Sequence, residues 1–194
     1  MADPVSTVAL AGGLSWASGV RLYMALFLAG WLGSIGLLSL PPALQVLQSP
    51  WALALTGALL VIEFVADKIP GADSVWDAVH TVIRIPAGAI LAAASLGQMD
   101  PGWVTMAALA GGTLAAGAHA TKAGSRALIN TSPEPFSNWA ASFSEDAVVG
   151  LGLWAAFFHP WLWLALLALF ILFALWLLPK LWRGLRWLAR RLAT

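Results

Sequence analysis

The chain has 194 residues, 60% of them hydrophobic and 10% charged, with twelve Trp, one Tyr and no Cys. An ordinary soluble domain is about 25% charged, so this chain has too little polar surface to remain a monomer in water. The absence of cysteine excludes disulfides, thiolate catalysis and cysteine-ligated metals. A formal net charge of +1, with the densest basic cluster set among tryptophans, argues against nucleic-acid binding. The composition is that of an all-α integral membrane protein.

Residues 1–6 carry no basic n-region and no clear cleavage site follows, so no removable signal peptide is expected. Residues 22–62 contain no charge, a run too long for one helix, which needs about 20 residues to cross the hydrocarbon core. Pro41, Pro42, Gln45, Gln48 and Pro50 mark a hairpin turn within it. Spans one and two are predicted at 14–38 and 51–66. The third runs from Ser74 to Met99 and ends at Asp100-Pro101-Gly102; the fourth, 102–127, is rich in the small residues that let transmembrane helices approach closely. The uncharged run 147–179 is divided by His159-Pro160 into the end of span five, 136–158, and span six, 161–178.

Six spans with both termini cytoplasmic would leave the outer turns 40–50, 100–102 and 159–160 free of Lys and Arg, as the positive-inside rule requires. Residues 1–179 then form a single transmembrane domain. Residues 180–194 alternate cations with Leu, Trp182 and Trp187, which suits an interfacial helix among anionic lipid headgroups. The bilayer is the expected partner, and the small-residue faces leave room for a homo-oligomer.

The polar residues are concentrated. Asp73, Asp77, His80 and Arg84 recur at i, i+4, i+7 and i+11, one face of a helix, and Glu63 and Asp67 repeat the i, i+4 spacing just before them, with Lys68 following. Pro70-Gly71 turns the chain between the two pieces. His119, Lys122, Arg126 and Asn130 form a second stripe. After a loop through Pro133, Glu134 and Pro135, Asn138, Ser142 and Glu145 form a third, with Asp146 beside it. A charge at mid-bilayer costs at least about 2.5–3.5 kcal/mol on insertion scales, so the stripes are expected to face one another around a shared interior site that also includes Arg21. Blander readings stand beside this one: Lys68 and Arg84 as positive-inside anchors, Glu134 as a solvated loop residue, His159 as an interfacial turn residue.

A three-plus-three inverted repeat with broken or re-entrant segments is one architecture open to six spans. Gly19-Val20-Arg21-Leu22 resembles Gly124-Ser125-Arg126-Ala127, and Glu63 corresponds to Glu145. The Arg-to-Glu separation is 42 residues in the first half and 19 in the second, so any repeat has diverged in its loops.

The strings Glu63-Phe-Val-Ala-Asp67-Lys68-Ile-Pro70-Gly71, Asp77-Ala-Val-His80-Thr81, His119-Ala-Thr-Lys122-Ala-Gly124 and Asn130-Thr-Ser-Pro-Glu134-Pro-Phe-Ser-Asn138 resemble those of a family of small bacterial membrane proteins catalogued as a domain of unknown function, number 4126. The resemblance covers residues 18–150 and implies a bacterial inner-membrane location; it supplies no activity. A looser likeness is to cation and proton exchangers whose paired motifs read Glu-x-Gly-Asp-Lys/Arg. Here the order Glu63, Asp67, Lys68 has an extra residue and no glycine, and span five offers only Glu145-Asp146.

Three functions fit these residues. In a transporter or channel for a small ion, Glu63, Asp77 and Glu145 would be cation ligands or proton carriers, with Arg21 and Arg126 as counter-charges. A divalent metal would be held by Asp73, Asp77, His80 and Glu145, because hard cations take oxygen ligands and histidine suits transition metals. In an intramembrane enzyme on a phosphate-bearing lipid, Asp73 and Asp77 would hold the metal while Lys122 and Arg126 clamp the phosphate. In a scaffold, the small-residue faces would bind partner subunits.

Overall fold

The computed structural model describes residues 3–69, 71–131 and 135–192. It contains six helices, α1 (Pro4–Ser34), α2 (Pro50–Ala66), α3 (Ala72–Ser95), α4 (Pro101–Ile129), α5 (Pro135–Phe158) and α6 (Pro160–Leu192), with a 3₁₀ helix, Pro42–Gln48, before α2. Pro70, Pro133 and Glu134 lie outside the described residues, as does the Arg191 side chain.

Five of the six helices start on proline, whose fixed φ and missing N–H are tolerated in the first turn. Asp3 and Asp100, the two acids remote from the polar stripes, are N-caps: Asp3 Oδ2 accepts from Ser6 N at 3.3 Å and Asp100 Oδ1 from Gly102 N at 2.8 Å. The Asp3-Pro4 start carries α1 ten residues ahead of the predicted residue 14. Likewise α6 continues through Pro179 to Leu192, so the expected boundary between a span and a separate tail falls inside one helix about 50 Å long. Lys180 and Arg186 on that helix lie over the rings of Trp176 and Trp182, at 3.2 and 4.9 Å from the centroids.

The burial pattern is the reverse of a water-soluble protein. Trp51, Val82, Phe136 and Trp161 are each more than 70% exposed, whereas Glu63, Asp67, Asp73 and Arg84 are completely buried. An apolar exterior around a charged interior is compatible with a membrane protein. By length and composition α3 and residues 160–187 of α6 can each cross a membrane. The 3₁₀ helix and α2, bent by 70°, make a third candidate if taken together.

Close approaches fix the helix directions. Ser15 Oγ donates to Gly88 O at 2.9 Å and Ser18 Oγ to Arg84 O at 3.4 Å, so α1 and α3 are antiparallel. Ser15 also lies beside Gly111, Gly19 beside Ala115 and His119, and Val20 O beside Lys122, so α1 and α4 run parallel. Gly13 against Ala156 and Arg21 against Ser142 make α5 antiparallel to α1; Gly124 against Leu181 and Leu128 against Gly184 set the end of α6 parallel to α4. Strict alternation of six spans would have opposed α1 and α4, as an inverted repeat also requires. The observed directions fit neither, and they put Pro4 near the α3–α4 turn while α6 ends beside the α4 C-terminus, so the two chain ends do not share a face as expected. The irregular stretch between α1 and α3, invisible to a count of apolar runs, is what changes the parity.

Gly19 is where α1 and α4 come closest: a Cβ there would collide with the Ala115 carbonyl and lie 2.8 Å from Ala118 Cβ and 3.0 Å from His119 N. These are backbone and short side-chain atoms with little freedom to shift, and overpacking of this kind costs about 1–3 kcal/mol. Gly117, on α4 between Ala115 and Ala118, has nothing within 4 Å of such a Cβ. Gly19→Ala should therefore lower the thermal midpoint in detergent while Gly117→Ala leaves it unchanged or raises it; equal responses would contradict the packing.

Candidate functional site

Three interruptions of helix meet at one end of the α3–α4 pair: a break inside α1, the link from α2 to α3, and the end of α4. Within α1 only Arg21 departs from helical angles, with φ −141° and ψ 75°. Such a break frees carbonyls of the preceding turn, and one of them, Val20 O, accepts from Lys122 Nζ at 3.3 Å. The Arg21 guanidinium, 1% exposed, reaches across to α5. It donates to Ser142 O at 3.1 Å and Oγ at 3.0 Å, and pairs with Asp67, with Asp146 at 3.0 Å and with Glu145 at 3.6 Å.

Asp67 caps the C-terminus of α2. Its Oδ2 takes Arg21 and also Lys122 Nζ at 2.7 Å, while its carbonyl accepts from Arg126 Nη1 at 3.1 Å. One turn earlier Glu63 Oε1 accepts from Arg84 Nη2 at 2.6 Å. Arg84 then bridges to Asp77 Oδ1 at 2.7 Å, and the same oxygen takes Lys122 at 3.2 Å. On α4 and α5, Arg126 holds Glu145 through both carboxylate oxygens at 2.8 and 2.9 Å, the bidentate geometry suited to a guanidinium, and also donates to Asn138 O at 3.1 Å and to Asn138 Oδ1. An unbroken series of ion pairs thus runs from Glu63 through Arg84, Asp77, Lys122, Asp67 and Arg21 to Glu145 and Arg126. Lys68 joins at the edge, 3.9 Å from Asp146 and over the Phe64 ring.

The four remaining predicted residues, Asp73, Asn130, His80 and His119, tie the helices together. Asp73 accepts from the N–H groups of Gly71 and Ser74 at 3.0 and 2.7 Å, capping the first turn of α3, and takes the Asn130 amide on both oxygens at 2.9 Å. Asn130 is the C-cap of α4, so this contact joins the two helix ends. His80 stacks on Trp76, and its Nδ1 donates to Trp76 O at 2.8 Å, so Nε2 accepts from Tyr23 Oη at 3.0 Å. His119 donates from Nε2 to Thr81 Oγ1 at 2.7 Å, because that hydroxyl gives its own proton to Asp77 O; Nδ1 is left to accept from Arg84 at 3.3 Å.

The structure brings together Arg21, Glu63, Asp67, Asp77, Lys122, Arg126, Asn138, Glu145 and Asp146, with His119 against Arg84 and Asp73 at 3.8 Å from Arg126. It does not gather the expected metal set. Asp73, Asp77, His80 and Glu145 are each held by different partners, and among the described residues no group of three His, Cys, Asp or Glu is placed to hold a metal ion. Arg84, readable as an anchor, is a completely buried bridge; its place at i+7 from Asp77 was the available signal. Of the three acids expected opposite Arg21 and Arg126, Arg21 reaches Glu145 but neither Glu63 nor Asp77, and its remaining partners are Asp67 and Asp146. The role of Tyr23, the sole tyrosine, had no signal beyond its neighbourhood to Arg21.

The network has six carboxylates and five cations, a net charge of −1 with both histidines neutral. Glu63 Oε2, Asp67 Oδ1 and Asp77 Oδ2 are buried without a hydrogen-bond partner in the chain. Lys122, by contrast, spends its three donors on Val20 O, Asp67 and Asp77, and Arg126 has both ends of its fork engaged. The site therefore holds unpartnered acceptors on its acids and unpartnered donors at Arg21 Nε, Arg84 Nε and Asn138 Nδ2, while Lys122, expected to clamp a phosphate, is fully engaged.

Removing one partner from a buried ion pair strands the other charge, at a cost of about 3–5 kcal/mol. Arg84→Met, which strands Glu63 and Asp77, should sharply lower the thermal midpoint in detergent, whereas Arg183→Met, at an exposed position, should change stability by no more than about 0.5 kcal/mol. Similar losses in both would mean that the pairs do not hold the fold.

A family model described as Domain of unknown function (DUF4126) matches residues 8–180. No curated protein and no solved structure matches the chain.

Proposed function

We propose that this chain, which belongs to the DUF4126 family, is a membrane transporter that exchanges a small cation for protons through the buried ion-pair network. The observation that carries the reading is the excess of acid over base: the network has a net charge of −1, and carboxylate oxygens of Glu63, Asp67, Asp77 and Asp146 are buried in it without a hydrogen-bond partner. An ionised carboxylate has lone pairs to spare, and an all-oxygen donor set suits a hard cation or a proton. Interrupted helices with liberated carbonyls are also how many transporters build ion sites. Phosphate chemistry is less well supported, since the network is already net negative and Lys122 is committed to Val20 O, Asp67 and Asp77.

The helix directions favour an odd number of crossings, five if the 3₁₀ helix and α2 re-enter from the inner face. With the network and the cations of α6 on the cytoplasmic side of a bacterial inner membrane, the N-terminus lies outside. The cysteine-free chain permits a direct check: single cysteines replacing Ser6 and Arg190 should label with a membrane-impermeant maleimide from opposite sides of sealed vesicles. Labelling from one side would restore an even count.

Transport is tested in proteoliposomes carrying an internal pH-sensitive dye, with sodium, potassium, magnesium and manganese as probes. One of these cations should drive proton movement, and Glu63→Gln should reduce the rate at least about tenfold, since it removes the charge but preserves shape. Glu63→Asp, which keeps the charge, should retain measurable exchange. Absence of flux with every cation, or equal flux in Glu63→Gln, would refute the proposal.

A further inference from the structure

A second feature lies away from the ion pairs, on the face where α6 crosses α4. Two adjoining apolar cavities, of about 500 and 570 Å³, share Met106, Ala110, Leu114 and Ile171 as lining residues. The first extends between α1, α3 and α4 toward Pro4 and Ala92; the second is lined by α4 and α6 alone and forms a groove open to the exterior. Met106, Leu109 and Leu175 on its walls are each more than 60% exposed, and Gly117 leaves open space in its floor. The stretch of α4 from Met106 to Gly117 is about 16 Å long at 1.5 Å per residue. That is close to the depth of one leaflet, half of a hydrocarbon core about 30 Å thick.

The end of the groove at Leu178 is continued by charge. Ile171, Leu175, Leu178, Trp182 and Arg186 stand at i, i+4, i+7, i+11 and i+15, one face of α6. Arg186 is exposed, with its guanidinium over the Trp182 ring at 4.9 Å. A leaflet-deep apolar slot closed by an aromatic and then by a guanidinium matches, in order, an acyl chain, the interfacial region and an anionic headgroup.

We propose that the α4–α6 groove is a site for one anionic phospholipid, its acyl chain between α4 and α6 and its phosphate on Arg186. The site is independent of the ion-pair network and of whether the chain transports ions. The cationic end of α6 thus acts through a defined lipid rather than as a general attraction to the surface.

The test is thermal stability of the purified chain in detergent supplemented with phosphatidylglycerol or with phosphatidylcholine of identical acyl chains. Phosphatidylglycerol should raise the midpoint by several degrees more than phosphatidylcholine. Gly117→Leu, which fills open space in the groove, should abolish the rise from either lipid while leaving the lipid-free midpoint unchanged. Arg186→Gln should remove only the difference between the two headgroups. Equal stabilisation by both lipids in the unaltered chain, or a full lipid response in Gly117→Leu, would overturn the proposal. So would a dimer in native mass spectrometry that Gly117→Leu dissociates, since the groove would then belong to a second copy.

Discussion

A charge removed from water must find a partner, and in this chain the requirement converges on Asp67. One buried carboxylate takes Arg21 from α1 and Lys122 from α4, and the carbonyl of the same residue takes Arg126. Two elements distant in sequence, α1 and α4, are fastened to the point where α2 ends. The neighbouring pairs repeat the logic, Arg84 joining α2 to α3 and Arg126 joining α4 to α5. In lipid the hydrophobic effect gives helices little reason to associate, so close contact of small residues and polar pairing must supply the cohesion. The small residues Gly19, Gly88 and Gly111 let the backbones approach, and the ion pairs lock the register.

Among the described residues no three ligands are placed to hold a metal ion, which the proposed exchange of a transient cation does not require. A resident divalent ion needs several carboxylates free of competing cations, whereas here every carboxylate oxygen that faces a guanidinium or ammonium is already occupied. What remains is one unmet acceptor on each of Glu63, Asp67, Asp77 and Asp146. A cation or proton arriving there can trade places with Arg84 or Lys122 instead of adding to them. Such an exchange would alter the ties between helices and, with them, the break at Arg21. On the proposed transport reading, this would link an ion's arrival to a change of shape without a separate switch.

Much of the architecture was legible in the sequence. Hydropathy and the placement of prolines and glycines located all six helices, five of which start on proline and the sixth, α3, after Gly71. The i, i+4, i+7 spacing correctly put Asp73, Asp77, His80 and Arg84 on one face and His119, Lys122 and Arg126 on another. The pairing was not legible: Arg84 reaches Glu63 and Asp77 at once, and only the packing of α2 on α3 reveals it. Helix direction was also hidden, since apolar runs can be counted but a helix that continues through Arg21 and a 3₁₀ turn before Pro50 leave no hydropathy signature. The metal reading of Asp73 and His80 failed for a related reason. Residue type suggests a ligand, but Asp73 is committed to the α3 N-terminus and the Asn130 amide, and His80 to Trp76 and Tyr23.

An experimental structure of the chain in a lipid nanodisc, at a resolution that shows ordered water and ions, tests the central claim most directly. The account predicts Asp67 between Arg21 and Lys122 in a site sealed from lipid, with a water or cation against the free oxygens of Glu63, Asp67 and Asp77. Carboxylates turned outward to headgroups or bulk solvent, around an interior of hydrocarbon alone, would contradict it.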